Sequence, residues 1–195
     1  MNLIKIAQFV LLTLAAALPL TATAIEEPAY DLVEAWDEPD VEIRHYEPRI
    51  LAMTEMAAGE NTGFRVLAGY IFGGNGSKQE IAMTAPVQRS MPGVSNSEMA
   101  FVLPAEYSMA ELPVPDDDRV KFRQEPAYHA AVIRFNGRAT DSRVDEQWAL
   151  LTRFLDAQQI QTSGSPTLNQ YNPPWTLPFM RRNEIIVPIQ LAAAH

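Results

Sequence analysis

The sequence predicts an α+β fold: a pseudo-two-fold, distorted antiparallel β-barrel or curved sheet of about eight strands, flanked by two α-helices. Several segments alternate apolar and polar residues, which is the period of half-buried strands. Two longer segments carry apolar residues at helical spacing, and the second half of the chain repeats the order of the first. A curved or closed sheet buries both helical stripes and leaves few open strand edges.

The first half begins with two strand patterns, Val41–Tyr46 and Ile50–Met56, which are predicted to form a hairpin around Glu47-Pro48. The period then changes to that of a helix between Glu60 and Phe72. One stripe of this helix is apolar: Phe64, Leu67, Ala68 and Ile71. An extended segment, 80–87, and a strand, 99–103, complete the half.

The second half repeats these patterns in the same order. Val41-Glu-Ile-Arg44 recurs as Val120-Lys-Phe-Arg123, and Phe101-Val-Leu-Pro104 recurs as Ile185-Ile-Val-Pro188. Strand 50–56 corresponds to 129–135, and Thr84-Ala-Pro86 aligns with Tyr171-Asn-Pro173. The second helix, about 140–159, has Val144, Trp148, Leu151 and Leu155 on one stripe, with a capping-box pattern at Ser142-x-x-Asp145. Several ordered matches favour an internal duplication of strand, strand, helix, strand, strand.

Residues 1–24 have the pattern of a secretory signal peptide. Lys5 precedes an apolar run from Ile6 to Leu20, and Ala22-Thr23-Ala24 is a small-x-small cleavage site. The run is short for a retained membrane span. The sequence therefore predicts a periplasmic or secreted protein that has no stable membrane insertion once the signal is cleaved.

The remaining chain divides into an arm and one domain. Residues 25–40 are acidic and contain prolines, which predicts a loose N-terminal arm, although Tyr30, Leu32, Val33 and Trp36 offer apolar groups for docking. Residues 41–190 form the predicted domain, which is long enough for a sizeable core.

Composition excludes several classes of function. The chain has no cysteine, so disulfides, thiolate nucleophiles and cysteine-based metal sites are impossible. The net charge is −9 and no basic block occurs, so neither nucleic acid nor an anionic membrane surface is an expected partner. The three histidines, His45, His129 and His195, have no zinc-ligand spacing.

The most informative stretch is the Pro-rich run from Tyr171 to Glu184. Three prolines each fix φ and remove a backbone donor, so the run predicts a stiff extended loop. It presents Trp175, Leu177, Phe179 and Met180, followed by the adjacent Arg181 and Arg182. One interpretation is a lid over the core with two solvated arginines. The other is a wall of a pocket for a flat apolar ligand that carries carboxylates.

Four motifs closely resemble the SOUL heme-binding protein family. They are Val41-Glu-Ile-Arg-His-Tyr46, Ile81-Ala-Met-Thr-Ala-Pro-Val87, the Tyr171-Asn-Pro-Pro-Trp175 run and Arg181-Arg-Asn-Glu184. The resemblance covers about residues 41–190. It implies a pseudo-two-fold distorted antiparallel barrel with two flanking helices, in agreement with the repeats. The wider superfamily includes gyrase-inhibitor-like binders of small molecules.

The resemblance implies a tetrapyrrole ligand, heme or another porphyrin, held in an apolar cleft between the first helix and the Pro-rich loop. The cleft residues are then Phe64, Leu67, Ala68, Ile71, Tyr171, Trp175, Leu177, Phe179 and Met180. Some vertebrate members carry lysines suited to propionates, which this chain lacks. Arg181 and Arg182 either replace them or anchor the loop to the barrel. His45 occupies the place of a candidate axial ligand to iron.

Three functions are compatible with these residues. The first is a non-catalytic, exported heme or porphyrin binder for transport, buffering or scavenging. The second is a small-molecule hydrolase similar to gyrase-inhibitor-like relatives, for which Glu184, Tyr171 and Glu80 are the available acid–base groups. No nucleophile–base pair is visible in the sequence, so an enzyme is not expected. The third is a protein-interaction module that docks through the Pro-rich loop.

Overall fold

The structure, a computed structural model, describes residues 25–56, 62–94 and 97–191. That part of the chain contains two helices, Gly63–Ile71 (α1) and Asp141–Ala157 (α2), and a short 3₁₀ turn, Pro178–Met180. It contains ten strands: Tyr30–Trp36 (β1), Val41–Tyr46 (β2), Arg49–Met56 (β3), Val87–Ser90 (β4), Ser97–Val102 (β5), Lys121–Glu125 (β6), Tyr128–Asn136 (β7), Gln161–Thr162 (β8), Thr167–Gln170 (β9) and Arg182–Gln190 (β10). The predicted signal peptide, residues 1–24, lies outside the described residues.

The strands form one antiparallel sheet in the order β1-β2-β7-β10-β9-β4-β5-β3-β6, and β8 pairs with β10 beside this path. From β2 to β6 the order is symmetric about the β9–β4 contact. The α+β class, the pseudo-two-fold order and the two flanking helices are therefore confirmed. The sheet ends at β1 and β6 without closing, so "barrel" describes it only loosely.

The predicted hairpin of β2 with β3 is wrong. β2 pairs with β7 of the other half, and β3 pairs with β5 and with β6 of the other half. The two-residue connection Glu47-Pro48 explains this, because two-residue hairpin loops need positive φ, which proline does not adopt. Each half thus contributes its first strand to the other half, which ties the halves together.

The duplicated order of strand, strand, helix, strand, strand is present in both halves. One predicted alignment is wrong. Thr84-Ala-Pro86 precedes β4, whereas Tyr171-Asn-Pro173 follows β9, the strand that corresponds to β4. The two proline segments therefore leave equivalent strands at opposite ends. The match of residue types arose from similar composition and not from equivalent position.

The segment predicted as a loose arm is part of the sheet. β1 pairs with β2 along its length, with an irregularity between Leu32 and Glu34. The Trp36 ring packs edge-on against Phe154 of α2, with centroids 4.8 Å apart. The Glu26 carbonyl accepts a hydrogen bond from the Ala85 amide at 2.9 Å. β1 is exposed at six of its seven positions, so its sequence lacks the alternation of a half-buried strand and its acidic composition suggested an arm instead.

Both helices cover the same face of the sheet. α2 packs through Val144, Leu151 and Leu155 on β2, β7, β9 and β10, and α1 packs on β3 and β5. α2 begins after Thr140, so the predicted capping box at Ser142 is not its start. We call the opposite face of the sheet the helix-free face. Its buried apolar residues are Tyr46, Leu51, Ala100, Val102, Ala130, Val132 and Ile186.

Candidate functional site

The Pro-rich loop, residues 171–181, connects β9 to β10 and is held together by its own hydrogen bonds. The Thr176 amide donates to the Pro173 carbonyl at 3.0 Å, and the 3₁₀ turn follows. The Arg181 guanidinium donates to the carbonyl of Thr176 at 2.8 Å and to that of Pro174. These bonds satisfy carbonyls that no neighbouring strand reaches, so the loop is braced without sheet pairing.

The braced loop exposes four large apolar side chains. Trp175 is 83% exposed and Phe179 is 71% exposed, and Leu177 and Met180 are also more than half exposed. Neighbouring exposed apolar residues of this size commonly mark a binding surface. The interpretation of the loop as a lid over the core therefore does not fit, because these side chains cover little of it.

Arg182 is held by three groups at the start of β10. Its guanidinium stacks over the Tyr171 ring, 3.5 Å from the centroid, and pairs with Glu27 at 2.5 Å and Glu184 at 3.7 Å. Burial alone would lower the pKa of Arg182, but the contact with Glu27 and the charge of Glu184 outweigh it, and the pKa is raised. Both arginines are thus engaged within the protein, which favours the interpretation that they anchor the loop.

Glu184 lies beneath the loop and is 1% exposed. Its carboxylate accepts two hydrogen bonds from Arg44, at 2.8 and 3.2 Å, and one from the Tyr171 hydroxyl at 2.7 Å. Burial and the charge of Glu184 raise the pKa of Tyr171 well above its usual value. The Tyr171 hydroxyl therefore stays protonated, and the Glu184 carboxylate is shielded from substrate-sized molecules.

Sequence reasoning missed Arg44 as a central residue. Burial would lower its pKa, but the hydrogen bond with Glu184 and the contact with Tyr46 outweigh burial and raise it. Glu42, Arg44 and Tyr46 alternate along β2 on the helix-free face. The alternation predicts that these three residues share a face. It does not predict that Arg44 is buried there, which results from its contacts with Glu184 of β10 and with the Tyr30 ring of β1.

The predicted α1 wall is only partly available to a ligand. Leu67 and Ile71 are buried in the core beneath α1. Phe64 is 46% exposed, with its ring against Phe101 at 5.3 Å, and Ala68 is half-buried. The apolar stripe therefore divides between a core side and a surface side. Phe72, which the sequence reasoning did not select, is exposed immediately after α1.

The segment 81–87 connects α1 to the Pro-rich loop. The Ile81 amide donates to the Ile71 carbonyl at 2.8 Å, at the end of α1. Val87 is the cross-strand partner of Gln170, the residue before the loop. The motif 81–87 therefore runs from one predicted wall of the cleft to the start of the other.

His45 lies far from the loop along the sheet. It is the cross-strand partner of His129, whereas Arg182 is the partner of Asn136, seven residues farther along β7. At roughly 3.3 Å per residue this is about 23 Å. The His45 ring lies against that of His129, with centroids 4.6 Å apart. His45 therefore does not adjoin the loop, and a porphyrin bound at the loop would not have His45 as its axial ligand.

His45 also has two carboxylates within reach. One ligand atom each from Asp31, His45 and Glu47 lie within 4.8 Å of one another. Asp31 is the cross-strand partner of His45, and Glu47 follows two residues later on the same side of the chain. The two carboxylates are exposed.

A sequence model of the SOUL heme-binding protein family matches residues 25–188, which is most of the chain. The chain belongs to this family. The match includes β1, so the segment predicted as an arm is also part of the family domain of this SOUL protein. No curated protein matches the chain.

Solved structures share the fold of this SOUL protein. They include the EcmrR C-terminal domain (TM-score 0.59, 11% identity, covering 78% of this chain and 98% of that one). They also include a hydrolase from Listeria innocua (TM-score 0.58, 9% identity, 78% and 92%) and an uncharacterised conserved protein from the same organism (TM-score 0.59, 11% identity, 78% and 93%). Likeness at such low identity shows the fold alone. In the described part of the chain no helix is long and apolar enough to cross a membrane.

Proposed function

We propose that this SOUL protein binds heme or another porphyrin, without catalysis, through the exposed apolar side chains of the Pro-rich loop. The observation that carries the proposal is the exposure of Trp175 and Phe179 on a loop braced by Arg181. A porphyrin is a large flat apolar ring, so its binding free energy comes mainly from buried area, at about 25 cal/mol per Å². A loop that is already ordered loses little conformational entropy on binding.

The proposed cleft extends from the loop across segment 81–87 to the surface side of α1. Its second wall is formed by Phe64, Ala68 and Phe72 rather than by Leu67 and Ile71, whose side chains are committed to the core. Such a cleft supplies contact area for the ring and few free cations for the propionates, because Arg181 and Arg182 already have partners.

Two other functions have less support from the geometry. A hydrolase built on Tyr171 and Glu184 would need these groups to reach substrate, but each serves as a hydrogen-bond partner of the other and Arg44 engages the carboxylate. A protein-interaction module would use the same exposed loop. Titration with hemin separates that function from porphyrin binding, since only a porphyrin binder gives a saturable change in the Soret band relative to free hemin.

The decisive experiment is a hemin titration of Trp175→Ala beside the wild type. Trp175 is the largest exposed apolar side chain of the loop, and loss of an aromatic anchor typically costs about 2 kcal/mol or more. We expect hemin affinity to fall at least about tenfold. Arg182→Ala should weaken hemin binding less than Trp175→Ala. The change removes the partly exposed ion pair of Arg182 with Glu27, and such a pair contributes about 1 kcal/mol at most to the stability of the loop.

Val114→Ala is the control, because Val114 is also apolar and highly exposed, at 75%, but belongs to the connection between β5 and β6. It should bind hemin like the wild type. Circular dichroism establishes that each variant is folded. A folded Trp175→Ala protein with wild-type affinity would place the porphyrin elsewhere or remove it as the ligand.

We also propose that the protein is exported to the periplasm or beyond. The support is the order of Lys5, an apolar run and Ala22-Thr23-Ala24. Mass spectrometry of the protein recovered from the periplasm or medium of an expressing bacterium should show an N-terminus at Ile25. Intact Met1 on the recovered protein would contradict cleavage at this site.

A further inference from the structure

A second cleft lies on the helix-free face, away from the Pro-rich loop. It has a volume of about 450 Å³ and none of its lining residues belongs to residues 171–181. This volume is at the small end of the range for ligand pockets. The residues that matter for its chemistry are Arg49, Gln88, Glu125, Tyr128, Ile186 and Pro188.

Arg49 lines this cleft and has a buried nitrogen without a hydrogen-bond partner. Its side chain is 8% exposed. Its Nε donates to Glu125 at 2.9 Å and its Nη2 donates to the Tyr128 hydroxyl at 2.5 Å, while Nη1 is buried without a hydrogen-bond partner. A buried donor that lacks an acceptor destabilises the protein, because its hydrogen bond with water has been lost without replacement. An acceptor supplied by a ligand would remove that cost.

Gln88 contributes a second unpaired donor to the same cleft. The residue is 4% exposed, and its Nε2 has no hydrogen-bond partner. Gln88 lies on the helix-free face. Its neighbour Val87 packs toward α1 on the other face, and its cross-strand partner Ala100 belongs to an apolar cluster of the helix-free face. Arg49 of β3 and Gln88 of β4 therefore line one cavity, and each has a buried donor without a partner.

The charges around the cleft favour a monoanion. Glu125 pairs with Arg49 and lies 3.5 Å from Arg123, and Glu98 lies 3.4 Å from Arg123. Burial would lower the pKa of Arg49, but Tyr128 and Glu125 outweigh burial and raise it, so the guanidinium remains charged. The two glutamates would repel a polyanion such as phosphate, whereas a single carboxylate can use the free Nη1.

The remaining lining combines the hydroxyl residues Ser90, Ser165 and Thr167 with an apolar part that is suited to an apolar body. Pro126, Pro166, Pro188 and Ile186 supply apolar surface beside the two donors. These side chains lose little entropy on ligand contact, since proline rings are already fixed. A ligand that matches both parts has a small apolar skeleton and one carboxylate.

We propose that this cleft is a second ligand site of the protein, for a small apolar monocarboxylate. The carboxylate accepts hydrogen bonds from Arg49 Nη1 and Gln88 Nε2, and the skeleton lies on the proline and isoleucine surface. The site does not share a residue with the loop, so it does not depend on porphyrin binding there.

The test uses 2-naphthoate as the probe, with isothermal titration calorimetry, and 2-naphthamide as its uncharged counterpart. We expect saturable binding of 2-naphthoate and at least about tenfold weaker binding of 2-naphthamide, because a hydrogen bond to a charged group is worth about 1.5–3 kcal/mol. Wild-type protein that does not bind 2-naphthoate, or that binds both probes equally, would overturn the proposal.

Gln88→Met removes one donor at similar volume and should weaken 2-naphthoate binding about fivefold or more. Gln170→Met is the control, since Gln170 lies on the neighbouring strand but not in the cleft, and it should bind like the wild type. Arg49→Lys keeps a charge without the planar fork and should weaken binding further. Equal binding by folded Gln88→Met and Gln170→Met would contradict the assignment.

Trp175→Ala identifies where the probe is bound. It should leave 2-naphthoate affinity unchanged while it weakens hemin binding. If Trp175→Ala abolishes 2-naphthoate binding instead, the probe occupies the loop and the second site is wrong. If hemin binding is absent in the wild type but 2-naphthoate binding behaves as expected, only the porphyrin proposal fails.

Discussion

His45 shows how little a single residue type says about its site. An imidazole in a strand suits iron ligation, and the family resemblance adds to that interpretation. The cross-strand partner of His45 is His129, whereas the partner of Arg182 is Asn136, seven residues farther along β7. Asp31 and Glu47 surround it instead. A residue-level hypothesis about a ligand therefore depends on neighbours that the sequence does not show.

We expect His45→Ala to leave both the absorption spectrum and the affinity of bound hemin unchanged. The physical reason is the distance of about 23 Å along β7 between His129, the partner of His45, and Asn136, the partner of Arg182 at the end of the loop. The measurement is the Soret spectrum of the hemin complex with each protein. A shifted band together with weaker binding would show that His45 is an axial ligand after all.

At the scale of elements, the buried group of Arg44 and Glu184 joins three parts of the fold. Arg44 belongs to β2, Glu184 to β10, and the Tyr171 hydroxyl brings in the first residue of the Pro-rich loop. β2 and β10 are not adjacent, since β7 lies between them. The ion pair therefore crosses β7 on the helix-free face. Through the hydrogen bond of Tyr171 with Glu184, it fixes the position of the first loop residue relative to the sheet.

Arg44→Met should destabilise the protein by about 3 kcal/mol or more, because it leaves the Glu184 carboxylate buried without its main partner. Arg44→Met combined with Glu184→Gln should cost less than the sum of the single changes. The measurement is the free energy of unfolding from urea denaturation.

Lys78→Met provides the comparison for this prediction. The Lys78–Asp116 pair has a short contact of 2.6 Å, but both side chains are substantially exposed. Exposed pairs contribute about 0–1 kcal/mol. If Arg44→Met costs no more than Lys78→Met, the buried group does not stabilise the arrangement of β2, β10 and the loop.

At the scale of the whole molecule, burial between the two halves raises the pKa values of several tyrosines. The pKa of Tyr128 rises to about 12, mainly through burial, and that of Tyr46 rises further for the same leading reason. Tyr171 behaves similarly. These phenols all lie on the helix-free face or at the base of the loop. Their burial there disfavours the phenolate form and keeps them neutral.

Stability should therefore decrease as pH rises above about 10, the usual tyrosine pKa. Above that value the unfolded chain loses phenolic protons that the folded protein retains, so the unfolded state binds fewer protons and is favoured by further increase in pH. Phenolate absorbance should appear in two phases, with the buried tyrosines ionising only as circular dichroism shows loss of structure. A single ionisation phase near pH 10 with an intact fold would contradict this.

Much of the secondary structure follows from local patterns. The period of residues 41–46 and 50–56, the two helical stripes and the three prolines of the loop each depend on neighbours within a few positions. The repeated order of these patterns predicted the duplicated halves. Residues 25–40 were predicted as an arm from their acidic, proline-containing composition, and the pairing of β1 with β2 is a tertiary contact that this composition does not indicate.

Local patterns and motifs were sufficient to predict the class of fold, the two halves, the stiffness of the Pro-rich loop and the SOUL family. Only the tertiary structure decided that β2 and β3 exchange partners between halves, that Phe64 is exposed while Leu67 is buried, and that Arg44 meets Glu184 across 140 positions. The reason is physical: helix and strand periods are set by adjacent backbone geometry, whereas burial and ion pairing depend on residues far away in the chain.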